Sequence, residues 1–170
     1  GAFTDVNAVV WYAKSVQWAL NKGIISDNSH KFNPDKNCTK ADLYTFLWNA
    51  AGSPQSSGSN SFSDVKSTDS YYYASIWAKE KGLVSGATFN PNAQVTRGEL
   101  VVSLWKYLGS PEGMQANQYL DIESHQSDFG RAVAWSHINS VMGGTDMHKF
   151  SPKKKCTRAV VINIMYRALK

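Results

Sequence analysis

Three cations stand at the same place in three copies of one motif: Lys40 in Thr39-Lys40-Ala41-Asp42, Arg97 in Thr96-Arg97-Gly98-Glu99 and Arg158 in Thr157-Arg158-Ala159-Val160. Each threonine falls five residues after a proline and nine before an aromatic, Trp48, Trp105 or Tyr166. Thr96 to Glu99 has the form of a helix capping box, in which the threonine hydroxyl meets the third amide and the glutamate reaches back. Thr39 to Asp42 is a weaker version, and the third copy has Val160 in place of the acid. Capping explains the threonine and the acid, but not the base. At the first helical position a cation meets the positive end of the helix dipole, at a cost of about 0.3–1 kcal/mol. A base placed there three times invites an anion to settle between it and the free amides. That anion is either internal or a ligand, and the residues alone leave the two level. Asp5, Asp64 and Asp121 recur equally and are the internal candidates, though each also fits as an N-cap of a first helix or as an Asx-turn former.

Trp18, Trp77 and Trp135 recur near the ends of the first helices. They fit a core, or a set of rings that stack on sugars beside the bases. Cys38 and Cys156 share one slot just before the threonine, with Val95 in the second copy. A small, half-buried apolar position suits a free cysteine. A bridge would need alpha carbons within about 7 Å, met only if the slot lies near an axis relating the copies. His30, His125, His137 and His148 follow neither the repeat nor a ligand spacing, and Asp121 with Glu123 occurs in one copy only. No nucleophile elbow, phosphate loop or paired-cysteine metal site is present, so no catalytic residue, metal or cofactor is expected.

The net charge of +5 is spread out except at Lys153-Lys154-Lys155, which reads as a solvated face. A mildly basic balance favours anionic partners, and no basic stripe or binding motif points to nucleic acid. No stretch approaches the roughly 18–20 apolar residues of a membrane span. Gly1-Ala2 leads directly into the first motif, which reads as a module cut from something larger whose targeting segment lies elsewhere.

These side chains need elements to position them. A period of roughly 55–60 residues means one structural unit used three times, its copies packed on one another, over 1–54, 55–111 and 112–170. Each copy parses as helix, loop, helix. Tyr12, Val16, Ala19 and Leu20 share one face of the first helix, which stops at Gly23; Gly82 is the matching stop, and Ser140 in the third copy predicts a less clean end. Leu43, Phe46, Leu47 and Ala50 line the second helix, as do Leu100, Leu104 and Tyr107, and Val161, Ile164, Met165 and Ala168. Gly52-Ser53-Pro54 and Gly109-Ser110-Pro111 end two of these helices, and polar linkers follow over 53–61 and 110–118. With little period-two alternation, the fold is expected to be all-α.

The ordered series Phe-x-Asp-Val, a Trp-Ala helix, Gly-Ile/Leu-Ile/Val, Phe-x-Pro and Thr-Arg-x-Glu, written three times from Phe3 to Lys170, resembles tandem S-layer homology domains of Firmicutes-type surface proteins. The resemblance implies a pseudo-threefold spindle with a central three-helix bundle and grooves between neighbouring copies. It implies an extracellular, non-catalytic module that anchors an exported protein to the Gram-positive cell wall by binding an anionic, possibly pyruvylated, secondary polysaccharide. Carried over by motif, Lys40, Arg97 and Arg158 would meet the acidic ligand. Ser26, Ser85 with Gly86, and Gly143 with Gly144 would be the loop positions beside them, together with aromatic residues. Lysine offers a point charge in place of a bidentate fork, and the third copy lacks its acid. The implied grooves are therefore unequal, with that of Arg97 the best. The alternative is a structural or protein-interaction module that keeps this fold without binding glycan.

Overall fold

The computed structural model describes residues 2–113 and 118–170; positions 114–117 of the second linker lie outside the described residues. Among the described residues six helices account for the regular structure: α1 (Ala13–Asn21), α2 (Lys40–Ala50), α3 (Tyr72–Glu80), α4 (Arg97–Tyr107), α5 (Asp128–Ile138) and α6 (Arg158–Leu169). Among the described residues β pairing is confined to isolated bridges. The molecule is all-α, as the periodicity predicts.

The even-numbered helices begin at the motif threonines. Thr39, Thr96 and Thr157 are extended, and their hydroxyls accept the third amide from Asp42, Glu99 and Val160. Only the first copy closes a full capping box, with the Thr39 amide donating to Asp42 at 3.1 Å. That reverses the expectation that Thr96 to Glu99 is the better box. The longer Glu99 side chain instead accepts the Tyr44 hydroxyl at 3.0 Å, next to Ser103.

The odd-numbered helices do not use the repeated aspartates as caps. Tyr12 and Tyr71 hold the N-cap positions of α1 and α3 without a side-chain bond, and Ser127 caps α5. Asp5, Asp64 and Asp121 lie too far upstream of those helix starts to reach them. Each instead reaches across its own copy, accepting from Phe32 and Asn33, from Phe89 and Asn90, and from Phe150 and Ser151 at 2.8–2.9 Å. Asn33, Asn90 and Ser151, between phenylalanine and proline, are left-handed, with φ of 58°, 55° and 58°. The carboxylate holds this turn by its amides.

Gly23 and Gly82 stop α1 and α3 with φ of 72°, the conformation glycine adopts freely. Ser140 takes the same turn at φ 55°. The end of α5 is thus as sharp as the others, with a serine Cβ in strained space where glycine stood twice before.

Copies meet through backbone. Cys38 donates to the Cys156 carbonyl at 2.8 Å, Cys156 to that of Val95 at 3.0 Å and Val95 to that of Cys38 at 2.8 Å, a closed ring of three. One step on, the first two amides of each even helix donate to a neighbouring copy: Lys40 and Ala41 to Ala93 and Pro91, Arg97 and Gly98 to Lys154 and Pro152, Arg158 and Ala159 to Lys36 and Pro34. The helix packing follows the same rotation, α3 lying on α2, α5 on α4 and α1 on α6. Leu43, Leu47, Leu100, Leu104, Val161 and Met165 are fully buried between them. Both cysteines are free and buried beside the ring.

Candidate site at the mouths of the even helices

The ring changes the chemistry expected at the helix starts. The first two amides are taken by backbone carbonyls and the third by threonine, so no free amide nest remains for an anion. Whatever neutralises the bases must do so through their side chains.

The three bases have different surroundings. Arg158 donates from Nε to the Phe32 carbonyl at 2.9 Å and lies over the rings of Phe32 and Phe46 at 5.1 and 5.2 Å. Its Nη1 stands 2.9 Å from Asp42 Oδ1, and the Arg158 side chain is 17% exposed. The acid of the first copy neutralises the base of the third. A groove of about 290 Å³ opens beside this pair, lined among others by Ser26, Thr45, Asn49 and Ser70.

Arg97 repeats the geometry one copy on. Its Nε donates to the Phe150 carbonyl at 2.9 Å and its guanidinium lies 5.0 Å above the Phe150 ring. Its Nη2 donates to the Gly143 carbonyl. The residue that corresponds to Asp42 in this setting is Val160. Among the described residues no carboxylate comes within ion-pair distance of Arg97. Burial pushes the Arg97 guanidinium below its usual range, outweighing the upward pull of Cys156, Tyr119 and Asp121, as expected of a cation that has lost water without gaining an ion-pair partner. Two carbonyls fix the fork, and its remaining N–H donors have no protein partner among the described residues.

Lys40 sits 5.7 Å from the Phe89 ring and forms no ion pair among the described residues. Its motif neighbour in the rotation, Glu99, is bonded to Tyr44.

The structure brings some predicted residues together and disperses others. Gly143 meets Arg97, and Ser26 lines the groove of Arg158. Ser85 is exposed, while the Gly86 carbonyl accepts from Lys79 at 3.1 Å. Gly144 is closed in, because a Cβ there would meet the Lys149 and Asp146 carbonyls. Of the two readings of the tryptophans, burial favours the core for Trp77 and Trp135, which are 3% and 5% exposed, against a sugar-stacking role. Trp18 is half-buried, edge-on to Tyr166. Asp5, Asp64 and Asp121 partner backbone turns, not the bases. Sequence reasoning missed Asp42 as a counter-charge and Phe32 and Phe150 as platforms, because each acts on a cation from another copy. The only trace was the acid lost at Val160.

Among the described residues no cluster of ligating side chains could hold a metal, and no helix is long and apolar enough to cross a membrane. Residues 2–43 and 61–101 match the model of the S-layer homology domain. The chain is 28% identical over 165 residues to the S-layer protein sap of Bacillus anthracis, a match covering 92% of this chain and 20% of that protein. It is 29% identical over 149 residues to an amylopullulanase of Thermoanaerobacterium thermosulfurigenes, covering 82% of this chain and 8% of the enzyme. The chain spans a fifth or less of the length of these relatives. The matched segments hold the first two copies of the motif; the third lies beyond them. The first two copies of the motif, over residues 2–43 and 61–101, are therefore similar to S-layer homology domains.

Proposed function

We propose that residues 112–170 form a third domain of the same kind, and that the three close into a pseudo-threefold spindle around a bundle of α2, α4 and α6. The spindle anchors a larger exported protein by gripping an anionic secondary polysaccharide of the cell wall, with Arg97 as the principal anion contact. The observation that carries this is the valine at position 160. Where Asp42 neutralises Arg158, Val160 leaves Arg97 half-buried, fixed by two carbonyls and without a counter-charge. A carboxylate on the glycan, such as a pyruvyl group, would accept the free guanidinium donors in a charge-assisted, two-pronged contact. Lys40 offers a weaker point charge. Arg158 is already satisfied, and for that groove the reading of pure architecture is favoured.

Pull-down on purified cell wall, before and after stripping the secondary polymer, tests the reading. Retention on intact wall and loss on stripped wall is expected. Equal retention on both would reduce the module to a structural or protein-interaction role.

A further inference from the structure

Lys153-Lys154-Lys155 gains a neighbourhood in the fold that the sequence does not reveal. Residues 35–37, 92–94 and 153–155 each run directly into the ring made by Cys38, Val95 and Cys156, so the three segments form one rim. Isolated bridges join the same segments, Asn37 with Thr157, Thr39 with Gln94 and Thr96 with Lys155. Lys36, Lys153, Lys154 and Lys155 are all exposed there. Asp35 is the one acid on the rim, and Asn92, Ala93 and Gln94 are uncharged, so the rim carries four positive charges against one negative. None of the four lysines takes part in an ion pair among the described residues.

This rim is continuous with the Arg97 site. The Arg97 amide donates to the Lys154 carbonyl at 2.8 Å, and the next amide, that of Gly98, donates to Pro152 at 2.9 Å. Ala41 and Ala159 make the equivalent contact in the other copies, so the segment before the ring lies against the helix start in all three. Lys153 to Lys155 therefore extend from backbone pinned at the start of the helix that carries Arg97, while the Lys36 carbonyl takes the Arg158 amide at 2.8 Å.

We propose that Lys36 and Lys153 to Lys155 form a second, electrostatic contact for an anionic glycan chain held at Arg97; the inference rests on the proposed glycan-binding function. One sugar brings one charge to the groove, whereas a polymer brings charges at regular intervals. Exposed lysines act on these collectively and within a Debye length of about 10 Å, so their contribution is salt-sensitive. The partner is a linear polyanion with carboxylates spaced along a sugar backbone.

The test uses the full chain and two probes, linear polygalacturonate and a pyruvylated monosaccharide. The rim variant Lys153→Gln/Lys154→Gln/Lys155→Gln is compared with Lys14→Gln/Lys22→Gln/Lys81→Gln, an equal charge change on other exposed positions, after thermal unfolding has shown both to be folded. The rim variant should bind polygalacturonate about tenfold more weakly at low salt, lose part of the salt dependence and bind the monosaccharide unchanged. The control variant should match the wild type on both probes. Wild-type polymer affinity in the rim variant, or an equal loss in the control, overturns the inference. An Arg97→Ala arm separates the two ideas. If it binds both probes as the wild type does while the rim variant loses the polymer, the groove reading fails and the rim contact stands.

Discussion

A single methyl-bearing side chain sets the electrostatics of the site. Arg97 and Arg158 share a carbonyl partner, a phenylalanine platform and a position at a helix start; they differ in whether the next copy supplies Asp42 or Val160. Restoring the acid should therefore quench Arg97. Val160→Asp is expected to weaken binding of an anionic saccharide about tenfold or more, with thermal stability changed little, because a partly exposed ion pair contributes only about 0–1 kcal/mol. Undiminished affinity in a folded Val160→Asp protein, measured by titration, would show that Arg97 is not the contact. The loss of the acid at 160 was legible in the sequence. That its consequence falls on Arg97, in a different copy, was not, because only the fold says which copies touch.

At the scale of elements, the threonine caps, the glycine stops and the buried faces of the even helices were legible, because each depends on residues within a turn or two. The partners of Asp5, Asp64 and Asp121 were not. These aspartates act across twenty-five or more residues on a turn whose shape depends on a left-handed residue before proline. Nor did the missing glycine at 140 mean a different geometry. Ser140 adopts φ 55° where Gly23 and Gly82 adopt 72°, and a left-handed L-residue carries a steric cost that glycine avoids. Ser140→Gly should stabilise the protein by about 0.5–1 kcal/mol once glycine's extra unfolded-state entropy is set against the relieved strain. Chemical denaturation measures it, and a destabilised variant would mean that the Ser140 side chain contributes more than it costs.

For the whole molecule, the copies are joined by backbone hydrogen bonds running in one rotational sense, which no pairwise sequence pattern could show. Three carboxylates hold the turns that feed those bonds. The Phe89 amide leads in drawing Asp64 below 3.8; around Asp5 and Asp121 burial pushes the carboxyl up, and the paired amides outweigh it. All three protonate more readily in the unfolded chain than in the folded one, so their stabilisation is complete well above pH 3.8 and drains away as pH falls towards and through it. Unfolding followed by circular dichroism should show a nearly flat stability down to about pH 4.5 and a steep loss below. Asp64→Asn should show a shallower loss, and an identical acid profile in that variant would remove the turns from the explanation.

The most direct measurement is calorimetric titration of the chain with a pyruvylated saccharide. With Arg158 paired to Asp42 and Lys40 a weak point charge, the wild type should bind close to one saccharide per chain with measurable affinity. Lys40→Ala should bind nearly as well, and Arg97→Ala should give no heat of binding. Two or three equivalent sites, or full binding by Arg97→Ala, would contradict an anchor built on one uncompensated guanidinium.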